Sequence, residues 1–186
     1  NAGIPVRLHD NDKDNLAKGL KVIEGNYART VSRGRLSQAD MDKRMSMIIP
    51  TESFDDLGDA DVVIEAVYEN LDLKKEIFSK LDKVMKEGAL LATNTSGLDV
   101  DAIAATTSRP ENVVGLHFFS PANVMRLLEV VRGEKSSTQA LGTAMALGKR
   151  LGKVAVVAGN CPGFIGNRMI GGYSRQASMM ILEGAA

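Results

Sequence analysis

The chain has 186 residues, 44% hydrophobic and 25% charged, an ordinary globular balance with material for one sizeable core. Basic and acidic residues number 23 each, so formal net charge is zero and no overall basic field argues for nucleic acid or an anionic membrane as partner. Cys161 is the only cysteine, which excludes an intrachain disulfide, suits a reducing compartment and leaves no cluster with zinc spacing. No apolar run approaches the roughly 20 residues of a membrane span, and the polar, soon charged N-terminus is unlike a signal peptide.

In chain order, Ile4 to Leu8 is a short apolar run ending at Asp10, predicted as a buried strand. Asp12 to about Ser32 has helical spacing through Leu16, Leu20, Ile23 and Tyr27, with Asp12 or Asn11 as cap and Gly34 beyond its end. Ser37 opens a second helix with a weak capping box in which Asp40 stands where Glu is better. Ile48 and Ile49 read as a strand stopped by Pro50. Ala60 to Val67, Leu71 to Met85 and Ala89 to Thr93 then predict strand, amphipathic helix and strand, a parallel crossover unit. A short helix over Val100 to Ala105 follows, then strands over Val113 to Phe118 and Arg126 to Val131. A helix from Ser136 to Leu151 and a strand over Val154 to Val157 complete the alternation. After Pro162 the pattern is helical to the end.

Alternating strands and helices predict an α/β, doubly wound, Rossmann-type and mostly parallel sheet. The expected domains are 1–160 and, opening a helical second domain, 161–186. In such sheets ligands sit at the carboxyl ends of strands. Asp10 falls at such an end, where an acidic residue accepts bonds from adenosine ribose hydroxyls and repels the extra phosphate of NADP, which predicts NAD. Its bland alternative is a turn or cap residue ahead of the first helix. Glu65 and Glu69 flank a later strand end, and Asn94, Thr95 and Ser96 follow another. The glycine-rich phosphate loop belongs about 20 residues before such an acid. Only nine residues precede Asp10, so the loop and its strand are expected to lie outside this chain, which as it stands should bind NAD poorly. Met41, Met45 and Met47 read as core or interface filler.

At Gly115-Leu116-His117-Phe118-Phe119-Ser120-Pro121 the sequence resembles the catalytic segment of the 3-hydroxyacyl-CoA dehydrogenases. Four further stretches agree in order: Val63 to Asn70, Asn94-Thr95-Ser96, Leu127 to Val131, and Pro162-Gly163-Phe164-Ile165-Gly166-Asn167-Arg168. Ser120 and Gly159-Asn160-Cys161 are most similar to the dehydrogenase region of multifunctional fatty-acid oxidation proteins. The resemblance implies NAD-dependent oxidation of an acyl-CoA 3-hydroxyl in fatty-acid β-oxidation. It makes His117 the general base, a role suited to a group with an ordinary pKa of about 6.5, and Glu129 its orienting partner. It implies that Ser96 holds the substrate oxygen with help from Asn167, and that Asp10, Ala66, Glu69, Lys74 and Asn94 contact the cofactor. Lys74 is otherwise read as a solvated helix residue, His117 as a core histidine, and Ser96 and Asn94 as turn formers.

A stand-alone 3-hydroxybutyryl-CoA dehydrogenase, a sugar-acid dehydrogenase and a non-enzymatic crystallin-like relative are the competing readings. Expected partners are the acyl-CoA substrate and either a second copy or the rest of a multifunctional chain. The expected compartment is the bacterial cytoplasm, with the peroxisome as alternative. The last helix, with Ile170, Met179 and Ile181 exposed, should fold back, pair with another copy or stay mobile.

Overall fold

The structure is a computed structural model describing residues 2–184. These form two compact units divided between Asp59 and Ala60.

In the first unit, β1 (Val6–His9) pairs in parallel with β2 (Ile48–Thr51). Between them run α1 (Lys13–Ser32) and α2 (Gln38–Met45). Asp12 caps α1 by accepting from the amides of Asp14 and Asn15. Gly34, at φ +67°, ends it: the Arg35 amide reaches back to the Thr30 carbonyl at 3.1 Å, satisfying a carbonyl the helix leaves over. The Ser37 side chain accepts from the Asp40 amide as predicted. The shorter Asp40, however, takes the Ser37 hydroxyl at 2.8 Å, so the box closes through the hydroxyl. Pro50 does not stop β2. It lies within the strand opposite Leu8, as proline can where its missing N–H faces away from the partner strand.

The second unit holds a five-stranded sheet in the order β3 (Val62–Glu65), β4 (Leu90–Thr93), β5 (Val113–Phe118), β6 (Leu127–Arg132), β7 (Val154–Gly159). Every neighbouring pair is parallel except β5–β6, which is antiparallel. The helices are α3 (Leu71–Val84), α4 (Val100–Ala104), α5 (Thr138–Arg150) and α6 (Gly166–Leu182). The seven strands thus lie in two sheets, with no ladder joining β1 or β2 to the other five among the described residues.

Side-chain alternation sorts the larger sheet's two faces. Leu90, Ala92, Val114, Leu116, Leu128 and Val130 form one core cluster with Ala140 and Ala144 of α5. On the other face Gly115 stands opposite Val131. A side-chain carbon at Gly115 would come within 2.6 Å of Val131 Cβ, so Val131 packs over this point of β5 only because that position is bare. Helices on both faces explain why β5 and β6 are nearly all buried apolar runs. From Asn167 onward, every described residue of α6 is exposed. The helix therefore does not fold back, contrary to one of the three outcomes anticipated for it: its start is tied down, and among the described residues nothing else covers its apolar side.

Candidate active site

His117 and Glu129 are direct cross-strand partners in the antiparallel β5–β6 pair. Side chains so paired point to the same face at short range, and His117 Nδ1 lies 2.7 Å from a Glu129 carboxylate oxygen. Glu129 is completely buried and His117 is 6% exposed. With the carboxylate ionised and the imidazole neutral, this geometry has Nδ1 donating to Glu129 and Nε2 presenting its lone pair. The imidazole is flanked by the rings of Phe119 and Phe164, with centroids at 4.5 and 5.8 Å. Phe164 adopts φ 47°, an uncommon conformation for a bulky residue, and is held there with its side chain 2% exposed.

The other Glu129 oxygen accepts from the backbone amides of Ile165 at 3.0 Å and Gly166 at 2.8 Å. These are donors at the start of α6, which has no cap of its own from Ile165. Glu129 therefore caps α6 from a neighbouring strand, and the positive end of the helix stabilises the carboxylate. A side-chain carbon at Gly166 would lie 2.7 Å from Phe119 Cζ, so this approach relies on glycine.

A second cluster forms at the carboxyl ends of β3 and β4. The alternative reading of Lys74 as a solvated helix residue does not hold: Lys74 is 1% exposed. Its Nζ donates to Glu65 at 2.8 Å and to the Val67 carbonyl at 3.2 Å, and lies 3.6 Å from Glu69. A cofactor contact by Lys74 requires giving up one of these partners. Glu65, also buried, accepts from the Val67 amide and the Thr93 hydroxyl. One Glu69 oxygen takes three donors: the Thr95 hydroxyl at 2.6 Å, the Ser96 amide at 2.8 Å and the Ser96 hydroxyl at 3.0 Å. Burial alone acts to raise the Glu69 carboxyl, but the Thr95 and Ser96 donors, with the Lys74 charge, hold it below the ordinary glutamate range.

The remaining sequence-predicted residues fall as follows. Asn167 Nδ2 donates to the Ser96 carbonyl at 3.2 Å, so the first turn of α6 joins both clusters: Gly166 holds Glu129 and Asn167 holds the Ser96 turn. The side-chain oxygen of Asn94 accepts from the Phe118 amide at 2.9 Å, tying the end of β4 to β5 beside His117. Ala66 is exposed just past β3. Asp10 follows β1 in the first unit and accepts from the Asp12 amide at 2.9 Å, which makes it a turn residue as well as a strand-end acid. The cap itself is Asp12.

Residues 1–161 match the family model described as 3-hydroxyacyl-CoA dehydrogenase, NAD binding domain. The chain belongs to this family. It is 49% identical over 98% of its length to the peroxisomal bifunctional enzyme of Danio rerio, of which the match covers 25%. It is 39% identical over 98% of its length to the fatty acid oxidation complex subunit alpha of a Psychrobacter species, covering 26% of that protein. It therefore spans about a quarter of the curated relatives it matches. The crystal structure of (S)-3-hydroxybutyryl-CoA dehydrogenase from Ralstonia eutropha superposes with TM-score 0.97 at 34% identity, covering 100% of this chain and 65% of that one. Relatives of this chain thus include proteins named as peroxisomal and proteins from bacteria. Among the described residues, no helix is long and apolar enough to cross a membrane.

Sequence reasoning missed Thr95 as a partner of Glu69, the Ile165 and Gly166 amides, and the Phe119–Phe164 walls around the imidazole. Thr95 was within reach, standing between two residues already singled out. The amides carried no signal, because every residue but proline has one.

Proposed function

We propose that this chain is the cofactor-binding part of a β-oxidation dehydrogenase that oxidises L-3-hydroxyacyl-CoA to 3-ketoacyl-CoA. The observation that carries the reading is the buried His117–Glu129 pair at 2.7 Å with Nε2 left as a base. Nε2 accepts the proton of the substrate 3-hydroxyl, and Glu129 holds the ring and stabilises the imidazolium that forms. Ser96 and Asn167, linked across the start of α6, receive the substrate oxygen.

Bound NAD supplies the hydride acceptor. The residues suit it taken one by one: Asp10 in the first unit and Glu69 in the second are each carboxylates of the kind that accept from ribose hydroxyls, and Ala66 offers exposed backbone after a strand. Asn94 belongs with them through its position at the end of β4. Lys74 is assigned to the same region, acting through the charge it gives Glu69.

Residues 161–186 are read as the opening of a helical substrate domain, and the exposed side of α6 as a surface for the rest of that domain or a second copy. The higher identity to the zebrafish protein favours a multifunctional over a stand-alone enzyme, and the peroxisome over the bacterial cytoplasm. The test is NADH-linked reduction of acetoacetyl-CoA by the full-length protein, wild type against His117→Gln. The variant is expected to lose at least about a hundredfold in kcat. A wild type inactive on short and long 3-ketoacyl-CoA alike sinks the substrate assignment.

A further inference from the structure

Thr95 is completely buried, and its hydroxyl is saturated. A threonine hydroxyl has one proton and two lone pairs. Here the lone pairs accept from the amides of Gly97 at 3.3 Å and Leu98 at 2.8 Å, so the proton is directed to Glu69, 2.6 Å away. Thr95 gives the shortest of the three bonds on this Glu69 oxygen; the Ser96 amide and hydroxyl follow at 2.8 and 3.0 Å. Thr95 follows β4, whereas Glu69 lies between β3 and α3, so the bond joins two neighbouring strand ends. The second Glu69 oxygen is in a different situation. Lys74 Nζ stands 3.6 Å from it, beyond a normal hydrogen bond, because Lys74 is held by Glu65 and the Val67 carbonyl. One oxygen is therefore engaged by the protein, and the other, on a side chain 41% exposed, keeps its lone pairs.

We propose that Thr95 is a positioning residue that turns the Glu69 carboxylate, so that its second oxygen is presented as an acceptor for the ribose hydroxyls of a dinucleotide. This rests on the dehydrogenase reading above and deepens it, by giving the orientation of a cofactor contact to a residue that does not itself touch the cofactor. A glutamate in an exposed connection has several rotamers open to it. A ligand that needs one of them binds more weakly by the fraction of time the side chain spends in the others. A buried hydroxyl with both lone pairs occupied is a donor with a single direction, and its bond to a carboxylate is about twice as strong as one between neutral groups. The Ser96 donors belong to an exposed residue and fix the carboxylate less firmly.

The test is equilibrium binding of NADH to the full-length protein, followed by its fluorescence. Thr95→Val keeps the shape and removes the hydroxyl, and Kd is expected to rise about fivefold to tenfold. Thr95→Ser keeps the hydroxyl and should bind within about twofold of wild type. In a Glu69→Ala background, where there is no carboxylate to orient, Thr95→Val should change Kd by less than about twofold. Thr95→Ala takes the place of the valine variant in this cycle if the urea midpoint shows that valine does not fold. A Kd unmoved by loss of the hydroxyl, an equal rise in the Glu69→Ala background, or Thr95→Ser binding as weakly as Thr95→Val overturns this inference alone. No NADH binding by the wild type overturns the dehydrogenase reading, and this inference with it.

Discussion

Two carboxylates organise this molecule, and they are held in different ways. Glu129 stands inside a sheet, completely buried, with one oxygen on an imidazole and the other on two backbone amides. Its place follows from the β5–β6 register, which seats it opposite His117. Glu69 stands in a connection between strand and helix, its side chain 41% exposed, and is held mostly by hydroxyls and a lysine. Register fixes a pair rigidly because a slip of one residue turns every side chain to the other face. A turn fixes a carboxylate only as firmly as the side chains that reach it. An imidazole held in one orientation therefore belongs in the first setting, and a carboxylate that gathers hydroxyl and amide donors can stand in the second.

The largest way to break this comparison is at Lys74. Replacing it with methionine leaves Glu65 buried with no counter-charge, and a loss of about 3–5 kcal/mol in unfolding free energy is expected. Adding Glu65→Gln should recover a large part of that loss, because both charges are then gone. Urea titration of the three variants decides it, and a Lys74→Met protein as stable as wild type contradicts the buried pair.

Glu129→Ala comes next. It leaves the Ile165 and Gly166 amides and His117 Nδ1 without their acceptor, at about 2–3 kcal/mol, and it frees the imidazole to rotate. Activity should fall with stability, whereas His117→Gln should lower activity with little effect on the urea midpoint. If Glu129→Ala costs stability but leaves kcat intact, the register argument fails as an account of the base.

The smallest effect is the acid sensitivity of the second region. Asp99 is held below its ordinary range by the Asn160 amide and the amides it caps, against the effect of burial. At Asp82 and Glu69 burial acts upward, but hydrogen bonds and a neighbouring cation outweigh it, so both are also lowered. Carboxyls lowered in the folded state bind fewer protons there than in the unfolded chain. The stability they contribute is complete above their unfolded values of about 4, and is lost as pH falls through the folded ones. The urea midpoint should decline as pH falls below about 4, and Asp99→Asn should make that decline shallower. A midpoint that rises on acidification contradicts the assignment.

How legible the molecule was depended on the range of the interaction. Helix α1 with Asp12 and Gly34 at its ends, and the strand over Val113–Phe118, could be read directly, since caps and apolar runs are local patterns. The extension of β2 through Pro50 could not, because what proline forbids depends on which side the partner strand lies. Lys74 looked like any surface lysine in an amphipathic helix. Its burial comes from Glu65, nine residues away along the chain, and from a strand end that only the packed sheet supplies.

By itself, the sequence determined the alternation of strands and helices and the family through its ordered motifs, and it singled out His117 and Glu129 as a candidate pair. Only the tertiary structure decided that His117 and Glu129 face each other, that the start of α6 is capped from β6, and that the Thr95 proton is directed at Glu69. The division has one physical cause. Periodicity and caps are short-range properties of consecutive residues, whereas the direction of a hydrogen bond between distant segments exists only once register and packing have fixed both ends.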